Sequence, residues 1–472
     1  MGSKGKTMRL LAVLAFSIWS GTALAQTPPA IAPVPAAVNQ TIAKLQKTAG
    51  DSALAFEIVE SLTTEIGPRL AGSPQEAAAR DWAVKMLRAQ GFQNVRIEPF
   101  TVPFWAMVRD EAYVLTPAGA QELTVAAIGG SGPTPPGGLE AEIVRFTSLQ
   151  ELAAAPDEAI KGKIVFIDEP TIRTQDGSGY GLGVAKRTLC APNAQRKGGV
   201  GCLIRSAGTH SHRFAHQGGN SRMRDGATIP AAALSPPDAD QLTRLLKRGP
   251  VRVRLLIDVE TQNDAASGNV VAEIVGREKP EEIVLIGAHL DSWTQGTGAL
   301  DDGAGVGIVT AAAKLIRDLP RRPKRTIRIV LFGSEEIGIH GGAAYARQHE
   351  SELARHIVAS ESDFGAGRVW RLQTRFGAGA SSFGRALHAS LAPLGVTLGG
   401  NDASGGPDMG PTREKGAPVV TLSQNGLDYF DYHHTPDDTL DKIDPAALRQ
   451  NVQAWVTFVY LAAEMDWDFR AP

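Results

Sequence analysis

Beyond its first 25 residues the chain has no apolar run that approaches the length of a transmembrane helix. It has only two cysteines, Cys190 and Cys202, too few to hold a structural zinc ion. Neither sign of charge dominates, with 48 Lys and Arg against 50 Asp and Glu. So mild a balance gives no reason to expect nucleic acid or an anionic membrane surface as a partner. No internal repeat of the solenoid kind is visible. What remains, 43% hydrophobic and 21% charged over 472 residues, suits a globular protein of two or three domains with a sizeable core.

The first apolar run, LLAVLAFSIW, follows Lys4, Lys6 and Arg9 and precedes Ala23-Leu24-Ala25. Residues 1–25 therefore read as a secretory signal peptide, too short and wrongly flanked for a membrane span. The mature chain is expected to be exported, periplasmic or secreted, and free of the membrane. Losing three basic residues leaves 45 against 50 acids, a net charge of −5. In an oxidising compartment a local disulfide between Cys190 and Cys202 is expected; the alternative is two buried thiols acting as small apolar side chains. Residues 26–37, QTPPAIAPVPAA, read as a flexible extension.

Order is expected from near residue 38. Ser73-Pro74-Gln75-Glu76 is a capping-box start, and Ala78, Trp82 and Met86 recur at helical spacing until Gly91. Residues 120–262 have a different texture, short strand-like runs (GKIVFID, GVGCLIRS, RVRLLID) between Gly/Pro-rich turns, which predicts a domain inserted between 38–119 and 263–472. From about 265 strands and helices alternate: IVLIGA, GAGVGIVTAAAKLIRD, TIRIVLF, AAYARQH, HIVAS. That alternation predicts an α/β fold with a buried, largely parallel central sheet flanked by helices. Residues 445–465 close the chain as an amphipathic helix.

The chemistry collects at the ends of these strands, where open α/β sheets bind ligands. His289 follows IVLIGA, and Asp291 two positions on is expected to orient its imidazole. Asp301 and Asp302 precede a glycine-rich helix start. Asp302 suits a cap; Asp301 is assigned as the carboxylate bridging two metals, since a paired site needs one ligand shared across about 4 Å. Glu335 and Glu336 end TIRIVLFGSEE and should divide the labour, one binding metal and one remaining free to move protons; Glu335 is assigned as base and Glu336 as ligand, an order that spacing does not derive. Asp363 follows HIVAS. In HHTPDD either His433 or His434 can coordinate, with Tyr429 and Tyr432 nearby. Imidazoles plus hard carboxylates suit a zinc-type ion with positions open to water, a metal-assisted hydrolase. His210, His212 and His216 form a second cluster without a neighbouring acid, and read instead as a mobile loop at the cleft mouth.

The order HLDSW, ALDDGAG, SEEIG, ESDFGAG and HHTPDDTLDKIDP resembles the M28 family of zinc aminopeptidase-like exopeptidases. IGPRLAGS, the GKIVFID region, RPKRTIRIVLF and the closing helix are similar too, so the likeness covers nearly the whole mature chain. It implies two zinc ions per chain: His289 on one, His434 rather than His433 on the other, Asp301 between them, Glu336 and Asp363 completing the shells, and Glu335 as the base that activates water. It further implies that 120–262 is a β-rich, protease-associated-type domain roofing the cleft, and that the chain forms a homodimer acting on dipeptides or short peptides. Aminopeptidase action on longer peptides is the alternative within the class. A one-zinc acyltransferase like the glutaminyl cyclases, or a receptor with a vestigial site, are the alternatives outside it. The segment NDASGGPDMGPTREKG, 401–416, departs from the family's usual pattern.

Overall fold

A computed structural model describes residues 1–2, 32–220 and 228–472. The signal peptide expected over residues 1–25 lies, past its first two residues, outside the described part. Among the described residues no helix is long and apolar enough to cross a membrane. The first helix runs Ala36–Asp51, so residues 36 and 37, read above as the end of the extension, are its opening turn.

Local signals act where they stand in the sequence. The Ser73 side chain accepts from the Glu76 amide at 3.1 Å and starts the helix Pro74–Ala89. Asp444 accepts from the Ala446 amide at 2.8 Å, with Pro445 in the first turn, and starts the helix Pro445–Glu464.

The strand Lys279–His289 lies inside the sheet, between two parallel neighbours. It pairs in parallel with Arg325–Phe332 on one side and His356–Glu361 on the other. Val419–Gln424 continues the sheet in parallel, and Val369–Arg375 and Arg252–Ile274 add antiparallel neighbours. Successive residues of Lys279–His289 face opposite layers. Val284 and Ile286 pack with the helices Leu54–Glu65, Ala304–Arg317 and Pro445–Glu464, whereas Ile283 and Leu285 pack with Tyr345, Ala359 and Met409. Both faces are covered, which is why the strand reads as a continuous apolar run.

Residues 120–262 carry the short strands Leu139–Phe146, Ile164–Ile167, Gly201–Arg205 and Ala231–Leu234, paired in parallel in that order. Helices Ala185–Arg196 and Pro236–Leu246 accompany them. Cys190 and Cys202, both fully buried, are joined by a disulfide with Cα atoms 6.2 Å apart, tying the first of these helices to the strand after it. The two halves are one sheet, because Arg252–Ile274 belongs to both. Its partner over most of that length is the 24-residue strand Gln93–Thr116, with register shifts at Gln93/Arg96, Val102/Phe104 and Met107/Arg109. The expected boundary at 262 thus falls within a continuous strand.

Candidate active site

Register brings the catalytic ends level. Phe332 pairs with His289 and Glu361 with Gly287, so the residues leaving all three parallel strands enter one space. The next helix must come close to it. A Cβ on Gly305 would lie 2.0 Å from the Ser362 carbonyl, so only glycine fits there. Ser334, just before the paired glutamates, and His434 both hold a left-handed backbone, with φ of 62° each. For residues other than glycine that conformation is costly, and it is characteristic of functional sites.

Asp301 lies at the centre. One carboxylate oxygen is 3.0 Å from His289 Nε2 and the other 3.0 Å from His434 Nε2. Glu336 stands 2.9 Å from His434 Nε2, and Asp363 stands 3.6 Å from His289 Nε2. Asp301, Glu336, His289 and His434 thus form one contiguous group, with Asp363 beside His289. His433 stacks on His434 at 3.5 Å between ring centroids, and its Nε2 is 3.4 Å from Asp301. Donor atoms within 4.8 Å of one another fall into three overlapping sets, which take in all of these residues and Asp302; Glu335 is in none of them.

The surrounding groups set orientation. His289 Nδ1 donates to the Asp291 backbone carbonyl at 3.0 Å, while the Asp291 carboxylate, expected to make that bond, stands 3.6 Å off. Those oxygens instead accept from the amides of Glu335 (3.0 Å) and Glu336 (3.3 Å), fixing the backbone that carries both acids. Asp302 accepts from the amides of His289 (3.1 Å) and Gly305 (3.0 Å), so it braces the strand end as well as capping the helix.

Three residues that local sequence patterns do not single out complete the frame. Buried Arg69 donates to the carbonyls of Leu290, Thr297 and Gly298, closing the loop between His289 and Asp301. Asp438 accepts from the Leu300 amide at 2.6 Å. The Gln217 carbonyl, from the 120–262 region, accepts from His434 Nδ1 at 3.2 Å, which leaves Nε2 facing the acids. Arg69 and Asp438 stand inside motifs quoted for the family likeness, IGPRLAGS and HHTPDDTLDKIDP; Gln217 carries no sequence signal, because its contact is made by the main chain.

Electrostatics follow from burying so many acids together. Burial pushes the Glu335 carboxyl well above the ordinary range, against the attraction of His289 and with added repulsion from Asp363, Glu336 and Asp408. Burial also raises Glu336, against the pull of His434. Asp301 goes the other way: burial would raise it, but the positive field of His433 and the hydrogen bonds from His289 and His434 hold it well below the usual value. His434 rises to about 9, as Glu336 and Asp301 overcome its burial. Glu336 Oε1 is buried without a hydrogen-bond partner. Buried acids in excess of cations, with a carboxylate oxygen unpartnered, fit divalent metal held by imidazole and carboxylate.

Two histidines of the second cluster are packed, and His212 is exposed. His210 and His216 are buried with their Nε2 atoms 2.7 Å apart. Burial lowers His210 to about 4 and His216 well below its ordinary value, as for neutral core imidazoles. Tyr429 is buried against Phe364 and His433.

Comparisons with known proteins agree with this picture. The model of peptidase family M28 matches residues 269–459. Carboxypeptidase Q of Rattus norvegicus is 33% identical over 413 residues, covering 87% of this chain and 85% of that protein. The crystal structure of a peptidase M28 precursor from Shewanella amazonensis is 48% identical, covers 92% of this chain and 98% of its own, and superposes with a TM-score of 0.90. An aminopeptidase from Aneurinibacillus, 22% identical with a TM-score of 0.63 over 91% of this chain and 98% of its own, shares the fold. Similarity of this extent along nearly the whole chain makes it a member of peptidase family M28.

Proposed function

We propose that the chain is an exported zinc exopeptidase that hydrolyses dipeptides or short peptides, with two zinc ions per chain and Glu335 as general base. The observation that carries this reading is the Asp301 carboxylate, which offers one oxygen to His289 and the other to His434. That is the arrangement a shared ligand needs. His289 and Asp363 would hold one ion, His434 and Glu336 the other, with Asp301 between. Zinc bound there would supply a Lewis acid for the scissile carbonyl and a water acidified towards neutral pH.

Glu335 stands apart from the donor sets but within the field of His289, Asp363 and Glu336. It is the acid left free to take the proton of the attacking water and return it to the leaving amine. Asp291 holds its amide, so the side chain starts from a fixed backbone. Residues 120–262 serve as the roof that limits the cleft, and the Gln217 carbonyl is one of their direct contacts with His434. A homodimer, following the family likeness, is the proposed assembly.

Glu335→Gln tests the assignment. Peptide hydrolysis should fall by about 10²- to 10⁴-fold, the usual worth of a general base. Bound zinc, measured by elemental analysis, should stay near two per chain. Loss of zinc together with activity would exchange the roles of Glu335 and Glu336. One zinc per chain, with cyclisation of N-terminal glutamine instead of hydrolysis, would replace the peptidase reading altogether.

A further inference from the structure

We propose that His433 is a catalytic residue that donates a hydrogen bond to the oxyanion formed when water adds to the scissile carbonyl. The inference rests on the peptidase reading above and gives a role to the histidine that reading leaves without one.

His433 sits in a box of rings. Tyr180, Tyr429 and Phe430 meet it edge-on, with centroids 5.1, 5.1 and 5.3 Å away, and His434 lies flat on it at 3.5 Å. A phenylalanine would suit such a box at least as well, because it carries no polar atom to satisfy. An imidazole brings two. Nδ1 is buried with no hydrogen-bond partner, and Nε2 has the Asp301 oxygen at 3.4 Å, too long for a strong bond.

Other buried histidines of this chain are treated differently. His356 sets Nε2 against the Tyr345 hydroxyl at 2.7 Å and Nδ1 against the Glu352 carbonyl at 3.0 Å. His289 likewise uses both nitrogens, on the Asp291 carbonyl and the Asp301 carboxylate, each at 3.0 Å. At His433 a polar ring is enclosed and then hardly used by the protein, which points to a partner from outside.

The idle nitrogen stands where the reaction needs a donor. The Asp301 oxygen that His433 Nε2 faces is the same one that His434 Nε2 approaches at 3.0 Å. Where that carboxylate serves as the shared ligand, its oxygens are committed, and an N–H at His433 Nε2 is free to turn to a substrate oxygen in the same space. The His433 side chain is 9% exposed, against 5% for Asp301, 6% for His434 and 4% for Glu336, so it is the least sealed of the four.

The step balances without a proton leaving His433. Glu335 takes one proton from water, the water oxygen bonds to the carbonyl carbon, and the π pair moves onto the carbonyl oxygen. His433 donates its hydrogen bond to that oxygen and keeps its proton. On collapse the C–N bond breaks, its electron pair leaves with the nitrogen, and Glu335 returns the proton there. A donor aimed at charge that develops only in the transition state raises kcat and leaves KM nearly alone.

The experiment uses the zinc-loaded mature protein with Ala-Ala, in wild type, His433→Phe and His433→Gln. Phenylalanine keeps the ring and loses the donor; glutamine keeps an N–H at the reach of Nε2 and loses the ring. His433→Phe should lower kcat by about 10²- to 10³-fold, the worth of one oxyanion donor, and change KM by less than about threefold. Zinc per chain, by elemental analysis, should be unchanged. The phosphinic isostere of Ala-Ala, whose tetrahedral oxygens imitate the oxyanion, should lose the same factor in Ki, and the product alanine should lose none. His433→Gln should run at least about tenfold faster than His433→Phe. Wild-type kcat in His433→Phe would reduce the residue to packing, and loss of zinc would make it a metal ligand. A glutamine variant no faster than the phenylalanine one, or equal losses of affinity for the phosphinate and for alanine, would make it a support for the site. Each of these overturns the proposal. Failure of the wild type to hydrolyse any peptide would overturn the peptidase reading itself, and the proposal with it.

Discussion

At the scale of single residues, neighbours in sequence have sharply different surroundings. Glu335 and Glu336 share one backbone clamp, the Asp291 carboxylate, yet only Glu336 reaches His434. His433 and His434 stack, yet only His434 touches both Asp301 and Glu336. His434 holds a left-handed backbone, φ 62°, and this geometry presents its Nε2 to both acids while its ring stays stacked on that of His433. Substituting them one at a time should separate them: His434→Ala should lower bound zinc from about two to about one per chain and abolish peptide hydrolysis, and His433→Ala should retain both ions. Elemental analysis of the two purified variants decides, and retention of two ions in His434→Ala would transfer the ligand role to His433. Which of two adjacent identical residues coordinates is not legible from residue type, because both offer the same atoms and only backbone geometry distinguishes them.

Among the elements, the strands and helices of the catalytic half were legible where one signal dominated. The run IVLIGA is apolar on both faces, and it became the strand Lys279–His289. The Ser73 capping box began its helix at Pro74, the position it announces. The 120–262 region was less legible, since its parallel strands are four to eight residues long and its helix Ala185–Arg196 lacks a strong amphipathic stripe. The 93–116 strand was also under-read. The run VRIEPF, 95–100, lies near its start, but bulges at Val102/Phe104 and Met107/Arg109 interrupt the alternation that would show its full length. The disulfide belongs at this scale. It closes a short loop, 12 residues in separation, so Cys190→Ser with Cys202→Ser should cost about 2–3 kcal/mol, read as a lower denaturant midpoint. A midpoint that reductant and the double substitution both leave unmoved would mean that the bond contributes no stability to this region.

For the whole molecule, acid should weaken the fold through carboxylates held below their ordinary pKa. Glu352 is the clearest. Its burial opposes ionisation, but Arg328 at 2.5 Å and His349 outweigh that and lower it from 4.5 to about 2. A carboxylate depressed in the folded state stabilises the protein above its unfolded pKa, and the contribution drains away as pH falls from about 4.5 towards 2. Glu352→Gln should therefore melt below wild type near neutral pH, and the gap should narrow steadily from about pH 5 downward. Calorimetric melting points across that range test it; a gap independent of pH would trace the loss to packing instead. The cluster is a long way from obvious in sequence, since Glu98, Glu273, Arg328, His349 and Glu352 come from four separate elements.

The paired strands Gln93–Thr116 and Arg252–Ile274 carry a mechanical consequence. The two strands that join residues 120–262 to the rest of the chain are laddered to each other, so neither is a slack tether. The ribbon flexes most easily at its three register shifts, where the ladder is already broken. On the proposed reading of residues 120–262 as a roof, so stiff a ribbon would hold the cleft at a fixed width.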